Sequence, residues 1–444
     1  MKIESPVRMT RRAFLESTGL TGVALTAPPG PQERWAEQSP PGLKRPDAAP
    51  EVVASDEAYW RRVAAHYRVA KRITNLEAGY WGVMADPVLA QYAHHTERVN
   101  AENSFYARGQ YLVDLEAARS RLAAALGVDI TEIAFTRGAT EALQCLIGGY
   151  NRLKAGDAVL YADVDYPAMQ YAMKWLADRR GVSVDRLTIP EPASRETVIA
   201  AYTAAMDASP ALRLVLLTHV NNKTGLVLPV GAISALARQR GIDVIVDAAH
   251  AWGQIKFSID DLGVDFVGLN LHKWIGAPVG VGALYIRKGR LADVDRMMAN
   301  EDEPGDSILS RVHSGTANFA AFLSVPAALD FHAAVGERCK AARLRYLRDR
   351  WVQAARGIAG IDVLTPDEAG MAGAITSFRF RGRTSTEENQ RTVDQLLNRY
   401  GVFTVRRTGL TAGDCVRVTP ALYNSPADVD RLVVALKAMA IGRS

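Results

Sequence analysis

Val244-Ile245-Val246-Asp247-Ala248-Ala249-His250-Ala251-Trp252 and Asp265-Phe266-Val267-Gly268-Leu269-Asn270-Leu271-His272-Lys273-Trp274 are two short apolar runs, each closing on ionisable groups. A short apolar run bounded by polar residues reads as a strand buried on both faces, the kind found in parallel sheets covered by helices. Placed in one such sheet, the runs bring Asp247, His272 and Lys273 to its carboxyl edge, where open α/β folds build their sites. Working outward, 132–136, 158–162, 212–218 and 283–286 are further apolar runs separated by helix-length segments. The fold class is therefore α/β, with a mainly parallel sheet in a large domain. A helical stretch over about 320–359 follows. Beyond it, strands at 361–364, 375–380, 402–405 and 416–419 alternate with helices at 388–400 and 426–439, a pattern that predicts a smaller C-terminal α+β domain. The organisation expected is 1–27, 28–51, 52–330 and 331–444, the first two lying outside the fold proper.

The N-terminal pieces have their own signals. Thr10-Arg11-Arg12-Ala13-Phe14-Leu15 precedes a mildly apolar, uncharged run to Ala27 and resembles a twin-arginine export signal. The run is too short to span a bilayer, so no stable membrane anchor is expected. Export would make the protein periplasmic or secreted, with the twin-arginine machinery as a targeting partner; a cytoplasmic protein with two chance arginines is the alternative. Residues 28–51 are proline-rich and aperiodic, as in an extended linker, and folding is expected to begin near Val52.

Composition narrows the function. The chain has 444 residues, 48% of them hydrophobic and 23% charged, which suits a globular enzyme and excludes a disordered chain or a disulfide miniprotein. A net charge of +5, from 53 basic and 48 acidic residues, leaves no footprint for nucleic acid. Cys145, Cys339 and Cys415 are far apart and odd in number, so neither a disulfide framework nor a metal site can be read from them.

Lys273, in apolar company, is open to two readings: a solvated loop residue, or a lysine made nucleophilic by desolvation and nearby charge. Its neighbours favour the second. Pyridoxal phosphate (PLP) requires an amine for its aldehyde, an acid beside its pyridine nitrogen, a phosphate cradle and a group to stack on the ring. Asp247 supplies the acid, and His250 can hydrogen-bond the phenolic oxygen. Thr136-Arg137-Gly138-Ala139-Thr140 follows a strand and opens a helix, where backbone amides, the Thr140 hydroxyl and the helix dipole favour phosphate. Tyr166, after the next strand, is placed to stack. A nicotinamide-dependent oxidoreductase is excluded on motif grounds, because Gly280-Val281-Gly282 precedes a strand instead of joining a strand to a helix.

With these stretches, Asn221-Asn222-Lys223-Thr224-Gly225, Ser314-Gly315-Thr316 and Arg417-Val418-Thr419-Pro420 in order, the chain resembles the class V aminotransferase family of fold-type I PLP-dependent enzymes. The resemblance runs from about Asn75 to the last helix. It implies that Lys273 forms the Schiff base and that His272 and Thr140 bind phosphate. Asn222 would lie near the phenolic oxygen and the substrate, and Arg417 would clamp the carboxylate of a small amino-acid substrate. Gly315 and Thr316 would reach the phosphate of a neighbouring subunit, in a homodimer with shared active sites. Asn270 stands where cysteine desulfurases of the family have a phosphate-binding serine, and 406–414 lacks their loop cysteine. These departures, with Leu76-Glu77-Ala78-Gly79-Tyr80-Trp81-Gly82, look most like the isopenicillin N epimerase-like subgroup. Transamination or epimerisation is the expected outcome. A β-lyase, an exported enzyme tailoring a siderophore, and a non-catalytic binding module on the same fold are the alternatives. Tyr80, Tyr106 and Arg108 are further candidates for the substrate pocket.

Overall fold

The computed structural model describes residues 43–441 apart from 299 and 302. The twin-arginine stretch and 28–42 lie outside the described residues. The described chain falls within one compact unit. Its strands are β1 (Thr74–Asn75), β2 (Ile133–Thr136), β3 (Ala158–Ala162), β4 (Ser183–Leu187), β5 (Leu212–Thr218), β6 (Asp243–Asp247), β7 (Phe266–Asn270), β8 (Gly282–Ile286), β9 (Ile361–Val363), β10 (Thr376–Phe380), β11 (Val402–Phe403), β12 (Val405–Arg407) and β13 (Cys415–Val418).

The central sheet has the order β2-β8-β7-β6-β5-β3-β4. Only β8 runs against its neighbours. This is the fold-type I PLP-dependent α/β architecture. Its strands are apolar at nearly every position because helices cover both faces, so alternation would leave polar groups in a dry layer. Register then fixes the site. Thr218 pairs with Asp247, Asp247 with Gly268, and Gly282 with both Asn270 and Thr136, which sets these strand ends side by side at one edge.

A second sheet, β12-β13-β10-β9, is antiparallel. It packs with the helices Glu337–Arg356, Thr386–Tyr400 and Pro426–Ile441 around Trp351, Phe378, Val416 and Leu436. The parallel pair β1-β11 and a bridge from Glu77 to Thr419 lead the Leu76–Glu77 segment across to the end of β13.

Three expectations are corrected. Packing starts before Val52: Leu43 is buried and a helix begins at Pro50. The helical stretch over 320–359 is three helices, Phe319–Leu323, Val325–Val335 and Glu337–Arg356. The last is bent 72° from those before it, with Gly336, at φ 84°, at the corner. Third, β4 is an additional strand at the sheet edge. Its side chains are exposed or half-buried, so it needs no apolar run. Among the described residues no single helix is long and apolar enough to cross a membrane.

Trp351 is fully buried and meets Phe378 edge-on, with ring centroids 6.2 Å apart. Trp351→Ala should cost about 3–5 kcal/mol through lost burial and a residual cavity. The urea midpoint checks this, and a loss below about 1 kcal/mol would place Trp351 outside any cooperative core.

Candidate active site

The carboxyl edge of the central sheet and the start of the helix Ala139–Gly149 enclose a cavity of about 460 Å³. Gly138, Ala139, Thr140, Tyr166, Asn222, Asp247, His250, Asn270, His272, Lys273 and Arg417 line it, as do Tyr80 and Arg407. The structure thus gathers the predicted site residues of this chain except Gly315, Thr316, Tyr106 and Arg108.

Lys273 follows β7 in a loop pinned from several sides. Leu271 N–H donates to Val281 C=O at 3.1 Å, Ala277 N–H to Leu271 C=O at 3.0 Å, and Gly82 N–H to His272 C=O at 2.8 Å. Gly82 must be glycine at this approach, since a Cβ would stand 1.9 Å from the Lys273 carbonyl oxygen. The amine Nζ lies 2.9 Å from His250 Nε2. Burial pulls the Lys273 pKa down to about 8, opposed chiefly by the Asp247 carboxylate. His250 is itself oriented, because the Trp274 indole N–H donates to its Nδ1 at 3.3 Å. With Nδ1 accepting, the ring proton belongs on Nε2, and Lys273 can then meet it only through the lone pair of a neutral amine. Burial, and then the Lys273 charge, hold His250 well below its usual range.

Asp247 ends β6, is buried, and accepts from Ala249 N–H at 2.9 Å. Burial raises its pKa, opposed by that hydrogen bond and by Lys273. A protonated ring nitrogen would supply a partner for this carboxylate. At the other end of the cavity Gly138 lets the backbone close in, since a Cβ there would meet Asn270 Oδ1 at 3.2 Å and His272 Cε1 at 3.4 Å. Asn270 Oδ1 accepts from Ala139 N–H at 2.6 Å, so this residue holds the phosphate turn in place. His272 donates from Nδ1 to Val281 C=O at 2.9 Å and keeps Nε2 for the cavity. Burial lowers its pKa to about 4, and an adjacent phosphate dianion would draw a second proton onto Nε2. Tyr166, partly exposed, caps the helix Pro167–Arg180. Asn222 Oδ1 is buried without a partner. A glycine-walled cradle and a buried carboxylate thus fit the phosphate and the ring nitrogen of PLP, and the Asn222 amide, turned so that its NH2 donates, fits the ring oxygen.

The substrate corner departs from a plain carboxylate clamp. Arg417, fully buried, donates to the Asn222 carbonyl at 2.8 Å and forms an ion pair with Glu77. Burial pulls its pKa down to about 10, with Glu77 opposing; it stays charged at neutral pH. Tyr106 does not reach the cavity: it is buried and donates to Asp114 at 2.7 Å. Arg108 and Thr316 line a different cavity. Ser314 donates to Glu141 at 3.1 Å, tying this loop to the phosphate helix, while Gly315 and Thr316 face outward. Glu77 and Arg407 were not singled out from the sequence. Glu77 sits in a stretch quoted only for its subgroup resemblance, and its contact with Arg417 spans 340 residues, beyond any local pattern.

Residues 84–432 match the family described as aminotransferase class-V. The chain is 29% identical to isopenicillin N epimerase of Amycolatopsis lactamdurans, over 85% of this chain and 98% of that protein. It is 26% identical to a probable cysteine desulfurase of Vibrio cholerae, over 79% and 88% respectively. Among solved structures, a mutant of C-DES with glycine covalently linked to its PLP cofactor superposes with a TM-score of 0.69 at 21% identity, covering 83% of this chain and 97% of that one.

Only the unprotonated amine attacks an aldehyde, so the rate at which cofactor-free protein captures PLP should rise with pH and level off above about 8, where Lys273 has lost its proton. Asp247→Asn removes the anion that keeps the proton on Lys273 and should move the inflection to lower pH. Stopped-flow absorbance measures both; an inflection that stays put or moves up in the variant contradicts the electrostatic coupling.

Proposed function

Because the chain belongs to the aminotransferase class V family of PLP-dependent enzymes, we propose that it moves a proton at the Cα of an amino-acid-derived substrate, giving epimerisation or transamination. The observation that carries this reading is the Lys273–His250 contact at 2.9 Å, beside the buried Asp247. When bound, PLP supplies an electron sink for the pair left at Cα. The chain supplies the rest. Asp247 would face the ring nitrogen, while Gly138, Ala139, Thr140, Asn270 and His272 would hold the phosphate. Tyr166 would cover the ring, and Asn222 and His250 would border its oxygen. Lys273 would hold the aldehyde carbon, and its amine is the base placed to take the Cα proton and return it.

Proton transfer is favoured over sulfur transfer by the thiols. All three cysteines are buried, and burial pushes the Cys415 thiol up to about 11. A sulfur-carrying nucleophile needs an accessible, low-pKa thiol. The similarity to isopenicillin N epimerase over nearly its full length supports the same direction. In this reading the outward-facing Gly315 and Thr316 meet the phosphate of a second copy in a homodimer. The twin-arginine stretch supports a periplasmic or secreted location.

Borohydride reduction of the coloured protein should leave a pyridoxyl group on Lys273, found by peptide mass spectrometry. Incubation with a panel of α-amino acids in D2O should put deuterium at Cα. Lys273→Ala should bring that exchange to background while circular dichroism stays unchanged. Exchange that persists in Lys273→Ala would exclude Lys273 as the base.

A further inference from the structure

Among the described residues, four polar atoms at the corner near Arg417 are buried without hydrogen-bond partners: Glu77 Oε2, Arg407 Nε, Arg417 Nε and Asn222 Oδ1. Three of their side chains form one electrostatic unit. Glu77 bonds Arg417 directly and lies 3.6 Å from Arg407. The side chains of Glu77 and Arg417 are 5% and 1% exposed, whereas that of Arg407 is 24% exposed and lines the cavity. A backbone wall closes Arg417 in further, since a Cβ on Gly79 would stand 2.5 Å from its Nη2.

We propose that Glu77 is a specificity-determining residue whose carboxylate holds the Arg417 guanidinium in place of a substrate carboxylate, so that the substrate's anionic group is received by Arg407. This rests on the proposed chemistry at Lys273. Two guanidinium groups and one carboxylate leave one uncompensated positive charge at the corner. Both guanidinium groups border the cavity, but Arg417 is already paired with Glu77 and its side chain is 1% exposed, so the charge open to an incoming anion is that of Arg407. A buried guanidinium waiting for its ligand would bear the full desolvation penalty alone; Glu77 removes that penalty, but an α-carboxylate must then displace Glu77 to reach the fork. A small amino acid whose only anion is the α-carboxylate then has Arg407 alone to receive it and binds weakly, and amines whose carboxylate engages Arg407 more fully are selected. Asn222, bonded to Arg417 through its backbone carbonyl, couples this corner to the cofactor site.

The test uses the PLP-loaded protein and L-alanine, with binding followed by the change in the cofactor's visible absorption. Glu77→Gln should bind L-alanine at least tenfold more tightly than wild type. Arg407→Ala should weaken it about tenfold, and the double variant should keep most of the gain, because Arg417 is then free. Weaker binding in Glu77→Gln, with the pyridoxyl-Lys273 peptide intact after reduction, overturns the proposal and makes Glu77 an orienting group for Arg417. A second measurement needs no variant. Phenylglyoxal on wild type should modify Arg407 and spare Arg417, with L-alanine protecting Arg407; modification of Arg417 at an equal rate overturns the proposal even where Glu77→Gln does not fold. A wild-type protein that takes up no PLP removes the cofactor chemistry itself, an outcome distinct from the others because no variant then shows the visible band.

Discussion

The site depends on one constraint: a lysine amine is held out of water at the edge of a parallel sheet, with a carboxylate and an imidazole beside it. Lysine is strongly hydrated and seldom buried. Here the surroundings over-determine its position. The loop is bonded to Val281, closed over by Gly82, and secured from below by Lys340, a buried ammonium that donates to the Trp274 carbonyl. Burial lowers the Lys340 pKa to about 7 as well. Two desolvated lysines thus flank one peptide segment, and Asp247, the anion facing Lys273, limits how far the pKa of its amine falls.

The same constraint explains why strand register matters more than strand identity. Side chains alternate in direction along a strand, so a slip of one residue in β6 would turn Asp247 away from the cavity. Thr218, Asp247 and Gly268 are paired in line, and Thr218 reaches further, donating from its hydroxyl to the buried Asp165 at 2.7 Å. Asp165 also accepts from Ala162 N–H at 2.7 Å. This polar layer under the cavity links three strand ends and fixes the backbone that presents Tyr166.

The central sheet was legible because strands buried on both faces must be apolar throughout, and a lysine after such a run is conspicuous. β4 was not, because an edge strand with solvated side chains carries no apolar signature. The corner at Gly336 was hidden for a related reason: the helices on either side are both rich in helix formers, and one glycine marks the break. Within the site, residues at strand ends and the phosphate turn could be read from local sequence. The Glu77–Arg417 pair could not. It arises because β1 pairs with β11 and the following segment bridges to Thr419, a relation that exists only after the two ends of the chain have met.

Long-range placement of this kind bears on how one scaffold hosts several reactions. The parallel sheet fixes the lysine, the acid and the phosphate turn, and these serve any chemistry at Cα. The antiparallel sheet contributes Arg407 and Arg417 from β12 and β13, while the segment after β1 contributes Glu77, Gly79 and Tyr80. In the proposed reading, substrate recognition is therefore assembled largely from segments outside the parallel sheet, which meet the lysine loop through Gly82 and the segment after β5 through Asn222. In the proposed reading, exchanging one side chain there, such as the carboxylate at position 77, would alter which anion the cavity accepts while leaving Lys273, His250 and Asp247 in place. Selectivity and chemistry would then be physically separable, because Arg407 and Arg417 stand on the antiparallel sheet and Lys273 and Asp247 at the edge of the parallel one.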